Sequence, residues 1–287
     1  WKISGNGLSH PSYLFGTYHG TYDILYQYTD SIPELHQAFN ACSQFAGESE
    51  TTSKPTPAQV GAAIKLPKDT TYADLLNKED FHFLDSIVRQ SLKSPLNKVY
   101  IKPNFLALIL GEIEKGKKLV DTGYSQSRID SMKSQVMDIA LEKKAKEKGL
   151  TIVGLEGIFD AFVSEKSNLK KEADELISDL REDDEISPLS FVNTLSDVYR
   201  TQNMKSLIDF EVKVDSIFRT SPKLTEIGKR IREDLLKRRN LNWMNKIPEL
   251  MKAQPTFIAV GVRHLPGKDG LIALLLEKGY QVEPIGL

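Results

Sequence analysis

Histidine and carboxylate side chains recur in this chain at one kind of place, just beyond short apolar runs. Gly16-Thr17-Tyr18-His19 follows Tyr13-Leu14-Phe15, and Gly261-Val262-Arg263-His264 follows Phe257-Ile258-Ala259-Val260. Glu48 closes the run Ser43-Gln44-Phe45-Ala46-Gly47, and Glu156 closes Leu150-Thr151-Ile152-Val153-Gly154-Leu155. Apolar runs of this length read as buried strands. A glycine closing such a strand lets the backbone turn sharply and leaves the polar residue at the strand's carboxyl edge. In an open α/β sheet that edge is where ligands bind. If the strands run parallel, His19, Glu48, Glu156 and His264 point into one cleft. Two imidazoles with one or two carboxylates suit Zn, Mn or Co. An ion so held lowers the pKa of bound water and supplies hydroxide for hydrolysis. A carboxylate left over then serves as general base. Taken singly, a histidine after a strand is most often a structural hydrogen-bonder and a strand-end glutamate a solvated charge. Four such residues at one sheet edge tip the balance toward a site.

Arg239 and Asn240 lie in a basic run, Lys237-Arg238-Arg239, on the helix leading to the second GxxH segment. Such a run is most often a solvated helix face. The functional reading has Arg239 clamping a carboxylate and Asn240 positioning substrate or a ligand histidine. Ser125, Arg128 and Asp138 are weaker candidates in the central helical region. His10, His36 and His82 have no strand-end context and receive no role.

Bringing four strand ends to one edge takes a parallel sheet, and the rest of the chain has the pattern for it. Trp1-Lys2-Ile3 and Tyr13-Leu14-Phe15 read as a strand pair joined by a Gly/Asn/Ser/Pro-rich turn. A short helix is expected over residues 22–28, and a second opens at Ser31-Ile32-Pro33-Glu34 with Ser31 as N-cap. Residues 51–57 form a polar loop, and helical pattern runs from 58 to about 92 and again over 104–114. Residues 123–127 are a linker or a backbone-lined binding loop. One long helix carries Ile129, Met132, Val136, Ile139 and Ala140 and stops at Gly149. Residues 165–250 are helical, broken at Pro188 and Pro222, and end in a helix over 224–246. The loop 265–270, a helix with Leu271, Leu274 and Leu275, and a strand over 280–283 close the chain. Strands alternating with helices at these distances predict an α/β fold, a mostly parallel central sheet with helices around it and a large helical insertion or cap. The chain reads as a single domain, 1–287, with its α/β core in 1–50, 150–160 and 255–287 and helical lobes at about 58–149 and 165–250.

Bulk properties narrow the function classes. The chain has 287 residues, enough for a substantial core, and a formal net charge of −1 with no basic face, which argues against nucleic acid as a partner. No apolar run approaches the roughly 20 residues of a membrane-spanning helix. Cys42 is the only cysteine, so there is no internal disulfide or thiolate metal cage, and it is expected to be a small buried side chain. The chain opens on Trp1 without a signal-peptide pattern. That suggests a trimmed or mature form, compatible with removal of an export signal and a periplasmic or extracellular location.

The segment Tyr13-Leu14-Phe15-Gly16-Thr17-Tyr18-His19 resembles the opening motif of the TraB/GumN family, which is related to the Tiki metalloproteases. Phe257 through His264, continuing Leu265-Pro266-Gly267-Lys268-Asp269-Gly270-Leu271, is similar to that family's closing motif and is the most specific stretch. Met137-Asp138 through Gly154-Leu155-Glu156 resembles its middle block, and Arg239-Asn240 its upstream Arg-Asn pair. The resemblance spans nearly the whole chain. It implies a fold shared with erythromycin esterase-like and haem-binding ChaN-like proteins. It also implies a divalent metal (Mn, Co or Zn) on His19, Glu48 and His264, with Glu156 close behind as ligand or base. Arg239, Asn240, Arg263 and Tyr18 would then contact a peptide or small-molecule substrate. Two residues depart from the pattern: Arg263 replaces a small residue and Tyr18 an aliphatic one. A cation beside a ligand histidine opposes metal binding unless its guanidinium points away. Three functions compete on this template: a metal-dependent peptidase, a non-catalytic binder of a peptide or small molecule, and a metal-independent hydrolase with histidine as base. Haem binding is a smaller remainder.

Overall fold

The structure is a computed structural model that describes residues 1–18, 32–50, 55–121, 123–133, 136–160, 168–181 and 188–286. Six short strands make one sheet: β1 Lys2–Gly5, β2 Ser12–Thr17, β3 Gln44–Gly47, β4 Thr151–Gly154, β5 Thr256–Gly261 and β6 Tyr280–Glu283. Their order is β4-β3-β5-β2-β1-β6. β4, β3, β5 and β2 are parallel neighbours, and β1 runs antiparallel between β2 and β6. The expected α/β class and mostly parallel sheet are therefore found. β5 lies inside the sheet and is buried from Thr256 to Val260, apolar from Phe257 on, as a strand covered on both faces must be.

Register decides where the chemistry falls. In the β2–β5 pair Gly16 faces Val260 and Thr17 faces Gly261, so the two strands carrying the GxxH segments are adjacent and end together. Gly47 faces both Ala259 of β5 and Gly154 of β4. The pairing outlasts the strands, for Leu155 N–H donates to Gly47 O at 2.9 Å and Glu156 N–H to Glu48 O at 2.8 Å. His19 and the expected helix over 22–28 lie outside the described residues.

The GxxH glycines act differently from the expectation. Gly261 has φ −50°, and Gly16 is an ordinary strand residue of β2. The turn after Gly261 is a 3-10 helix, Val262–His264. What the glycines provide is room: a Cβ on Gly16 would lie 2.9 Å from Val262 Cγ2 and 3.0 Å from Val262 Cα. Gly16→Ala is expected to push β2 away from the turn that follows β5 and cost about 1–3 kcal/mol. A urea-denaturation midpoint unchanged from wild type would show that the strands yield freely.

The chain folds into two compact units. Trp1–Ser53, Met132–Ile158 and Ile186–Leu287 hold the sheet, with helices that include Pro33–Asn40, Met137–Glu147, Pro188–Arg200 and Met204–Phe218. The core of this unit includes Leu14, Trp243, Ile247, Ile258 and Val260. The second unit, Lys54–Ser131 and Phe159–Glu185, packs helices such as Lys78–Leu92, Pro103–Asp121 and Leu169–Arg181 around Leu84, Val88, Leu106 and Ala173. The helices between 188 and 253 thus belong with the sheet. Among the described residues no helix is long and apolar enough to cross a membrane.

Local expectations are corrected in three places. Pro33–Asn40 has Ile32 at its N-cap, and isoleucine has no side-chain acceptor to cap with; Pro33 takes the first helical position. The long helix expected through 129–140 is two, Gln126–Lys133 and Met137–Glu147, and Gly149 follows the second with φ +73°. The helix expected over 224–246 is three segments: Pro222–Arg230, a π-helical stretch Ile231–Lys237, and Arg238–Trp243. The π stretch is wider than an α-helix, and such stretches are frequent at functional sites.

Candidate functional site

Glu48 leaves the end of β3, Glu156 the end of β4 and His264 the end of β5, and the structure brings all three together. What joins them is Arg239. On the helix Arg238–Trp243 the residues Arg239, Asn240, Trp243 and Met244 form the buried stripe, spaced as one face of a helix requires. Arg239 Nη2 donates to Glu48 Oε2 and to Glu156 Oε1. Its Nε donates to the same Glu156 carboxylate at 3.0 and 3.2 Å. Nη1 lies 3.1 Å from His264 Nε2. The solvated-face reading therefore fails for Arg239, whose side chain is only 9% exposed.

Each acceptor has a second partner. Gly261 N–H donates to Glu48 Oε1 at 2.7 Å, and Trp243 Nε1–H to Glu156 Oε2 at 3.0 Å. The indole also lies beside the imidazole, ring centres 4.5 Å apart, and beneath the guanidinium, with Arg239 Cζ 4.7 Å from its centroid. Such a cation–π contact adds to the hold on Arg239.

Asn240 fixes the state of His264. Its Nδ2 donates to the backbone carbonyls of His264 at 3.1 Å and Asp269 at 2.8 Å. Its Oδ1 is therefore the acceptor facing His264 Nδ1 at 2.7 Å, and Nδ1 carries the proton. In the neutral imidazole Nε2 is then the lone-pair nitrogen, turned toward Arg239.

Burial pushes the Glu48 carboxyl upward, but the Arg239 charge, His264 when protonated, and the Gly261 N–H outweigh it and hold its pKa below the ordinary value. Burial likewise works against the charge on Arg239, and Glu156 with Glu48 more than restores it. The direction of these shifts sets the sign of the linkage. A carboxylate depressed on folding gives stability that is complete above its unfolded pKa and is lost as pH falls through the folded one. The acid limb of a Tm–pH curve, below about pH 4.5, is expected to be shallower in Glu48→Gln than in wild type. Parallel curves for the two proteins would contradict it.

The implied metal does not fit the described donors as they stand. Glu48 Oε1 and His264 Nε2 converge to 3.8 Å. Between the donors, however, sits a guanidinium, and an ion placed there would meet a like charge. Among the described residues no group of three or more His, Cys, Asp or Glu is arranged to hold a metal. The third implied ligand, His19, lies outside the described residues.

The remaining candidates lie elsewhere. Arg263 makes a two-pronged ion pair with Glu211 at 2.6 and 2.8 Å, which turns its guanidinium toward the helix Met204–Phe218 and away from the cluster. Tyr18 is 3% exposed and stacks on Tyr199 with ring centres 5.2 Å apart, so it packs in the core. Asp138 accepts from Thr17 Oγ1 at 2.8 Å and Tyr199 Oη donates to Gly16 O at 2.7 Å, bracing the first GxxH strand. Ser125 accepts from Arg128 N–H at 3.3 Å at a helix start, and Arg128 lies over the Tyr124 ring. Burial pushes the Cys42 thiol up to about 12, as expected of an inert core side chain.

Sequence reasoning missed Trp243, the Gly261 N–H and the Asp269 carbonyl. Trp243 had a signal, its place four residues after Arg239 on one helix face; the two backbone groups had none. Beside the second motif, Val262 and Leu265 join Phe15, Met204, Leu207 and Phe257 in lining a largely apolar cavity of about 190 Å³.

No curated protein and no solved structure matches this chain. The family model for TraB/PrgY/gumN matches residues 1–284, nearly the full length, a span that contains the strand ends and the Arg-Asn pair. The chain belongs to the TraB/PrgY/gumN family.

Proposed function

We propose that the chain is a hydrolase of a peptide or small acyl substrate, working at the Glu48–Glu156–Arg239–His264 cluster with His264 Nε2 as the base. The observation that carries this reading is the tautomer of His264. Asn240 holds Nδ1–H and leaves Nε2 with a lone pair, the base-and-orienter arrangement that proton abstraction from water needs. In this reading a water O–H bond breaks and its proton passes to Nε2. The hydroxide adds to the substrate carbonyl carbon, and the electron pair moves onto the carbonyl oxygen. Arg239, turning one N–H from Nε2 to that oxygen, stabilises the new charge. Collapse expels the amine or alcohol, which takes the proton back from His264. Glu48 is the most open of the four, with a side chain 22% exposed. The cavity beside Val262 and Leu265 suits an apolar group of the substrate. The resemblance of both GxxH segments to the opening and closing motifs of the TraB/GumN family, which is related to the Tiki metalloproteases, supports a hydrolytic reaction.

The test is a panel of peptides and acyl esters incubated with the protein, with and without a chelator, and products read by mass spectrometry. Cleavage that survives chelation and disappears in His264→Gln is expected. No product from any substrate, or equal product from His264→Gln, would overturn the reading. Activity lost on chelation and restored by Mn, Co or Zn would replace it with the metal-dependent mechanism of the Tiki relatives.

A further inference from the structure

We propose that the Arg239 guanidinium is the resident cation of this centre, doing for Glu48, Glu156 and His264 what a divalent ion does elsewhere, and that removing it turns the cluster into a site for one divalent ion. Its partners are of the kind a metal takes, two carboxylates from Nη2 and an imidazole lone pair from Nη1, gathered around one guanidinium. The far atoms of the same three groups are held independently, Glu48 Oε1 by Gly261 N–H, Glu156 Oε2 by Trp243 and His264 Nδ1 by Asn240. Partners of this kind orient the ligands of real metal sites, and here they keep the donors converging whatever lies at the centre. Charge points the same way. Two carboxylates face one guanidinium in a nearly buried cluster, leaving an excess negative charge that a divalent ion would cancel. Arg239 reaches the centre from a helix entered through the π-helical stretch Ile231–Lys237, where its Nη1 also meets the Leu235 carbonyl at 3.4 Å.

The experiment is uptake of Co²⁺ and Zn²⁺ by the whole chain after dialysis, quantified by elemental analysis, with the visible band of Co²⁺ and the Tm shift as further readouts. Wild type is expected to retain under roughly a tenth of an equivalent, and Arg239→Met about one, with a Tm raised by the ion. Uptake by Arg239→Met should vanish when Glu48→Gln or His264→Ala is added. Two results overturn the proposal: wild type binding a full equivalent that Glu48→Gln and His264→Ala abolish, or folded Arg239→Met binding none. Should Arg239→Met fail to fold, Arg239→Gln, which keeps a hydrogen-bonding side chain toward the carboxylates and all three donors, is expected to take up about one equivalent, and folded Arg239→Gln binding none overturns the proposal. Uptake is read without substrate, so its outcome is separate from whether the chain hydrolyses anything.

Discussion

Arg239→Met is expected to destabilise the protein by about 3–5 kcal/mol, the usual effect of deleting one partner of a buried ion pair. The reason is what stays behind. Glu48 and Glu156, with side chains 22% and 11% exposed, would face each other without their shared cation. Water reaches neither well enough to replace it. For a chain of this size the fall in Tm is on the order of 10 °C. Adding Glu156→Gln to Arg239→Met should restore part of the loss, because it removes one of the stranded charges; the double-mutant cycle measures the coupling directly. A loss below about 1 kcal/mol would instead be the behaviour of an exposed surface pair.

His264→Gln is expected to lower kcat by about 10²–10⁴-fold with KM little changed, the span that a positioned general base contributes. Glutamine can still reach toward Asn240, so the fold should hold while the base is gone. Asn240→Ala separates positioning from chemistry. With Nδ1 released, either imidazole nitrogen can carry the proton, and kcat is expected to fall while binding persists. A variant at 264 with wild-type kcat would end the assignment, whatever the substrate.

Much of this centre is legible in the residues alone, and the part that is not has a physical cause. Buried strands declare themselves by unbroken apolar runs such as Phe257-Ile258-Ala259-Val260, and the polar residue beyond each run must stand at the sheet edge. Glu48, Glu156 and His264 meet for that reason. Arg239 is harder. In Lys237-Arg238-Arg239 any of three cations could face inward, and only helix phase decides among them. That phase is set by the π-helical Ile231–Lys237, which breaks the 3.6-residue count on which a sequence reading depends. The ion pair of Arg263 is hidden for another reason: its partner, Glu211, is 52 positions distant, and no local pattern announces such a pair. The motif glycines are recognisable as needed but not as spacers, because the atoms they make room for include Val262 and Glu48, each just past the end of another strand.

The central place of β5 has a consequence for how the molecule comes into being. β5 is what joins the β3–β4 pair to β2, for β3 and β2 each border β5 and not one another. β5 is made after β1, β2, β3 and β4, so a ribosome releases both parts of the sheet before the strand that joins them. Until then the nascent protein presents unpaired apolar edges, the circumstance that makes slow, long-range topologies dependent on protection from aggregation.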